Sequence, residues 1–181
     1  MKRGIIFLCM ITWCLSLSAE RHALLIGHQG GGDYEKLHYV DNDINELGIV
    51  LTKYCGFKAN NISKIYNATP ETIHEEIEKV VTRLGDDKNN LFMLYYSGHA
   101  KSDYLVLGDK RYSFNDLKRE LERFPARIRI AVFDACQSGG FTRAKGGRLA
   151  EPFLLQEDEN VEGQVVLYSS TAHENSQESD I

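Results

Sequence analysis

The chain has 181 residues, 43% hydrophobic and 26% charged, which suits one globular domain with a core of its own. Its formal net charge of −5 argues against nucleic acid or an anionic membrane as the main partner and is compatible with basic peptides. With only three prolines, and neither a low-complexity tract nor an internal repeat, the chain is not of the disordered or solenoid class.

The first nineteen residues stand apart. Lys2 and Arg3 precede an almost wholly apolar run from Gly4 to Leu17, and Ser16, Leu17, Ser18 and Ala19 end it with small residues. This is the layout of a secretory signal peptide, with a cut near Ala19 and export as its consequence. A retained N-terminal anchor is the alternative, but the run falls short of the roughly 20 residues of a membrane span. Cleavage removes Cys9 and Cys14 and leaves Cys55 and Cys136, with 19 basic residues against 26 acidic ones. An exported protein could bridge those two thiols. Cys55, however, ends a predicted helix far from the strand tip that carries Cys136, so no bridge is expected.

Residues 20–181 then read as one domain. Arg21 to Gly27 is a mostly buried strand, and His28 to Asp33 a glycine loop. Gly30-Gly31-Gly32 lacks the following Gly-Lys-Ser/Thr of a phosphate cradle, so it reads as a flexible loop beside a site. Asp41 to Tyr54 is a helix capped by Asp41, with Ile44, Leu47, Leu51 and Tyr54 on its inner face and Gly56 as its stop. Ile62 to Tyr66 is a second strand. Thr69 caps another helix with Pro70 in its first turn, whose apolar stripe is Ile73, Ile77, Val81 and Leu84.

Leu91 to Ser97 is the third strand. Tyr104 to Leu107 and Arg111 to Tyr112 form a small hairpin around Gly108-Asp109. Ser113 caps a third helix with Leu117, Leu121 and Phe124 inward, and Pro125 ends it. Ile128 to Asp134 is the fourth strand, Gln137 to Glu162 is irregular, and Gln164 to Ser169 is the fifth strand. Strands alternating with helices predict a three-layer α/β/α sandwich around a mainly parallel sheet. Sites in such sheets form outside the carboxyl ends of the strands. His99 and Cys136 each follow such an end.

A cysteine attacks as thiolate, and a nearby histidine generates it or protonates the leaving group. The backbone N–H groups of Cys136 and Ala100 are candidate donors to a developing oxyanion. Gly98, Gly139 and Gly140 would let a substrate backbone come close. One cysteine and one histidine without clustered spacing do not make a zinc site, so neither metal nor cofactor is expected.

Tyr95-Tyr96-Ser97-Gly98-His99 and Asp134-Ala135-Cys136-Gln137-Ser138-Gly139 resemble the histidine and cysteine motifs of the caspase-like cysteine peptidases, with the closest likeness to their bacterial and metacaspase branch. Arg21 to Gly27, and Val40-Asp41-Asn42-Asp43 leading into a helix, look like that family's first strand and helix. The resemblance implies a caspase-like fold and a Cys136–His99 dyad that hydrolyses peptide bonds in peptide or protein substrates. In metacaspases the acidic residue two before the cysteine lines the primary pocket, which is Asp134 here. Glu174 stands near a second acidic position after the fifth strand. Two carboxylates there imply cleavage after Arg or Lys.

The chain also departs from the family. Ala100 stands where the family has glycine, and its methyl is expected to narrow the site. The chain stops at Ile181, where relatives continue into a further strand and helix, so the domain reads as truncated. That keeps a catalytically inactive interaction domain as the rival reading. A receiver-like regulatory domain needs acidic residues after the first strand, and Gly27-His28-Gln29 offers none. Arg143, Lys145 and Arg148, in a loop that relatives process, are candidate self-cleavage positions. Some relatives need calcium, but the spacing of Asp33, Asp41 and Asp43 does not define a calcium site. Oligomeric state stays open.

Overall fold

The apolar runs of the sequence become the middle of one sheet. The computed structural model describes residues 19–101, 103–135 and 163–169. β1 (Arg21–Gly27), β2 (Ile62–Tyr66), β3 (Leu91–Ser97), β7 (Ile128–Asp134) and β8 (Gly163–Tyr168) lie in the order β2-β1-β3-β7-β8. Every neighbouring pair is parallel. β1 and β3 are interior strands, which is why Ala23, Leu24, Leu25 and Ile26 in succession are fully buried rather than alternating with polar residues.

The helices cover the sheet from both sides. α1 (Val40–Tyr54) packs Ile44 and Leu51 against Ala23, Leu25 and Tyr95 on one face. α2 (Pro70–Leu84) and α3 (Phe114–Glu122) pack on the other, against Leu24, Ile26, Phe92, Leu94, Tyr96, Ala131 and Phe133. Phe92 and Phe124 stack there with ring centroids 3.7 Å apart. Odd-numbered residues of β1 and β3 therefore face α1 and even-numbered ones face α2 and α3. This is the three-layer α/β/α arrangement expected from the alternation of elements.

Several details differ from the sequence expectations. α1 begins one residue earlier, behind Tyr39, which makes no side-chain cap; Asp41 sits inside the first turn and accepts a hydrogen bond from Gln29 Nε2 at 2.9 Å. Its negative charge favours a helix N-terminus from there as well. Tyr54, expected inward, is 77% exposed: as the last residue of α1 it lies off the line of Ile44, Gly48 and Leu51. Val80 rather than Val81 completes the fully buried stripe of α2. The Thr69 cap is present as expected, and reciprocal: Thr69 Oγ1 accepts from Thr72 N, while Thr72 Oγ1 accepts from Thr69 N. Ser113 caps α3 through Asn115 N.

The hairpin has a third strand. β4 (Ala100–Lys101), β5 (Tyr104–Leu107) and β6 (Lys110–Ser113) form a separate antiparallel sheet. Two residues are too short for a periodic signal, so β4 was not readable in advance. Its place matters: it begins one residue after His99.

Gly27, Ser97 and Asp134 pair across β1, β3 and β7 and form one transverse row at the carboxyl edge. Gly98 N donates to Asp134 O at 3.2 Å and His28 N donates to Ser97 O at 3.0 Å, so the ladder runs one residue past the strands. The segment that leads to Cys136 and the one that carries His99 leave the sheet at the same level. No helix among the described residues is long and apolar enough to cross a membrane.

Candidate active site

β3 delivers His99 to this edge through a turn that only glycine fits. A Cβ on Gly98 would come within 2.5 Å of the Tyr96 hydroxyl and 2.9 Å of the His28 carbonyl oxygen. The absence of a side chain there makes room for the protein's own atoms, not for a substrate backbone as expected. The Tyr96 hydroxyl is fully buried and lies 2.8 Å from the His99 carbonyl oxygen and 3.0 Å from that of Val106. Its single proton is shared between two acceptors. Val106 N also donates to His99 O at 2.9 Å. The backbone of His99 is thus fixed from two sides before its ring is considered.

The ring is held by the loop after β1. His99 Nε2 lies 2.7 Å from the main-chain carbonyl of Glu35. A carbonyl oxygen has no proton to give, so Nε2 is the donor, and Nδ1 of the neutral ring is the basic nitrogen. Tyr34 packs its ring 5.4 Å from the imidazole centroid, and Gly30 lies against the imidazole edge. A third group that orients a catalytic base is the recurrent logic of nucleophile–base pairs. Here that group is a peptide carbonyl, which has no residue-type signature, and sequence reasoning missed it for that reason.

The acidic residues gather on the α1 face. Tyr95 and Ser97 point to that side from β3, with Asp134 beside them on β7 and Asp43 above them on α1. The Tyr95 hydroxyl lies 3.4 Å from Asp134 Oδ2, and Ser97 Oγ donates to Asp43 Oδ2 at 3.0 Å. Asp134 itself is exposed. Burial pushes the Tyr95 hydroxyl well above the usual phenol range, and the charges of Asp134 and Asp43 push it further. Two carboxylates therefore lie near one neutral, buried phenol and give this face a local negative charge. Asp43 entered the sequence reading as part of the family-like Val40–Asp43 run and as one of three acids whose spacing does not define a calcium site; the signal that could have brought it to this site is an acid in the first turn of the helix that follows β1.

Ala100 has its backbone at the expected place, just past His99, but its methyl is buried in the core on the α2–α3 side. The expectation that it narrows the site is therefore corrected: the side chain points away into packing with Leu105 and Leu107. Cys136, Glu174, Arg143, Lys145 and Arg148 lie outside the described residues. Ala135, the residue before Cys136, is described, and its N–H donates to Ser169 Oγ at 3.0 Å. Cys55 is a free, half-buried thiol whose carbonyl accepts from Arg21, at the opposite, amino end of the sheet.

Among the described residues, one group brings ligand atoms close enough for a metal ion. His74, Glu78 and Glu120 converge within 4.8 Å on the outer surface of α2 and α3. The Arg123 guanidinium already occupies the space between those carboxylates, 2.6 Å from Glu78 and 2.5 Å from Glu120. The cluster is satisfied by an ion-pair network and lies across the sheet from Asp43 and Asp134.

Residues 20–180 match the family model of the caspase domain. Among solved structures, caspase-1 from Spodoptera frugiperda superposes with a TM-score of 0.64 at 17% identity, over 89% of this chain and 63% of that one. The structure of pro-sf-caspase-1 gives 0.58 at 15% identity, over 83% and 61%. Identities this low bear on the fold alone, and the chain spans less than two thirds of the length of either structure. No curated protein sequence matches it closely enough to count as a relative. The family model covers nearly the whole chain and the five-stranded sheet has the architecture of those structures: the chain belongs to the caspase-domain family of peptidases.

Proposed function

We propose that this protein is an exported cysteine endopeptidase that cuts after Arg or Lys. The observation that carries the reading is the state of His99: Nε2 is tied to a carbonyl, Nδ1 is left free of that bond, and the turn that carries the residue leaves the sheet level with the end of β7. In this mechanism Nδ1 takes the Cys136 proton. The thiolate attacks the scissile carbonyl, and the oxyanion draws on the N–H groups of Cys136 and Ala100. The imidazolium then gives its proton to the leaving amine. Water attacks the thioester, losing its proton to His99, and the free thiol returns.

The Asp43–Tyr95–Asp134 group supports the basic preference. A guanidinium can be shared between two carboxylates, and a buried neutral phenol between them offers no competing charge. An acidic substrate residue would meet like charge there. Glu174 is part of the proposal as a further acid, and Arg143, Lys145 and Arg148 as points of self-cleavage.

A fluorogenic peptide panel with Arg, Lys or Asp before the scissile bond tests the reading, on wild type and Cys136→Ala. Arg and Lys peptides are turned over by wild type alone, and Asp43→Asn raises KM for the Arg peptide by tenfold or more. Turnover confined to Asp peptides overturns the pocket assignment. No turnover by a folded wild type favours an interaction domain instead. Intact mass tests self-cleavage: nicking within residues 143–148 is expected in wild type and absent from Cys136→Ala, and equal nicking in both ends that idea.

A further inference from the structure

The loop that orients His99 is itself held by a second histidine, which the mechanism above does not use. His28 is 7% exposed, immediately after β1. Its Nδ1 accepts a hydrogen bond from Gly30 N at 3.0 Å. A side chain that accepts from the N–H two residues on makes a turn of the kind Asn and Asp make, with an imidazole nitrogen in place of the carboxamide oxygen. The turn puts Gly30 at φ +97°, where a Cβ would meet the Glu35 carbonyl oxygen at 2.5 Å and His99 Cδ2 at 3.1 Å. Gly30 is thus wedged between the orienting carbonyl and the ring it orients. The loop closes beyond it with Leu37 N donating to Gln29 O at 2.7 Å.

We propose that His28 is a positioning residue for the acid–base histidine, acting through Gly30 to seat the Glu35 carbonyl on His99 Nε2. The inference rests on the peptidase reading for its kinetic consequence, not for its structural one. Its requirement is that Nδ1 of His28 carry no proton, since a protonated Nδ1 would face the Gly30 N–H donor to donor. Burial, and after it the nearby His99, holds the His28 imidazole below the ordinary histidine range, in keeping with that requirement.

The test uses His28→Leu and His28→Ala, which remove the acceptor, and His28→Asn, whose Oδ1 sits two bonds from Cβ as Nδ1 does. With the Arg peptide, His28→Leu is expected to lower kcat tenfold or more with KM within twofold of wild type, and His28→Asn to recover most of the loss. The second measurement needs no turnover. In protein labelled with 15N at histidine, at pH 7.5, His99 is expected as the Nε2–H tautomer in wild type and His28→Asn, and as a mixture in His28→Leu or, should that variant not fold, His28→Ala. Equal losses in the Asn and Leu variants, or an unchanged His99 tautomer without the acceptor, would overturn the proposal. Should the wild type turn over nothing while its His99 tautomer still depends on His28, the catalytic reading fails and the positioning role stands.

Discussion

At the scale of single residues, the site is held mostly by atoms that side-chain reading does not see. His99 was legible because it ends an apolar run at a sheet edge. The Glu35 carbonyl was not, because every residue has one and only the path of the loop selects it. Gly98 was legible as a required glycine, but the sequence assigned its space to a substrate when Tyr96 and His28 occupy it. Tyr96 is the residue whose loss should be most instructive. Tyr96→Phe removes a proton shared between two carbonyls, while His99 O keeps the Val106 N–H. A loss of about 1–2 kcal/mol of stability is expected from denaturant unfolding. If Tyr96 also fixes the backbone of His99, kcat for the Arg peptide falls as well, by more than a Phe124→Leu variant of equal stability would show.

At the scale of elements, the apolar stripes and the Thr69 and Ser113 caps were readable, and the start of α1 and the shortest strand were not. α2 shows its 3.6-residue stripe and its Thr69 cap, and the structure keeps both, adding the reciprocal bond to Thr72 and putting Val80 in the stripe for Val81. α1 shows the stripe, but Asp41 was misread as the cap, because a first-turn acid is favoured by the helix dipole wherever it falls within that turn. β4 escaped because a two-residue strand has no period. The capping prediction is quantitative. Thr69→Ala loses the bond from Thr72 N to Thr69 Oγ1 and keeps the one from Thr69 N to Thr72 Oγ1, and should cost about 1 kcal/mol. A drop of a few degrees in Tm checks it; an unchanged Tm would mean that the α2 start is fixed by packing of Ile73 and Ala68 instead.

At the scale of the whole molecule, the fold's buried histidines make its stability depend on pH in one direction. His22 is 2% exposed, and the Glu20 carboxylate lies 3.3 Å from its Nε2 without the alignment of a hydrogen bond. Burial holds its imidazole below the ordinary range, more than Glu20 can raise it, and burial does the same for His28. The unfolded chain therefore binds these protons at a higher pH than the folded one. Stability is complete above the unfolded histidine value near 6.5 and is lost as pH falls below it, by at most about 1.4 kcal/mol per pH unit for each histidine. Thermal melts at pH 7.5 and 5.5 should show the lower Tm at 5.5, with a smaller gap in His28→Asn. A higher Tm at pH 5.5 would reverse the assignment.

The level row of Gly27, Ser97 and Asp134 has a consequence for how such a protein can change through descent. Main-chain pairing draws that line, and neither of the two pairings depends on an imidazole or a thiol. A descendant that exchanged His99 for an inert residue would keep its sheet and the acidic residues on the α1 face, since neither is built on that side chain. Loss of chemistry and loss of shape are therefore separate steps in this architecture.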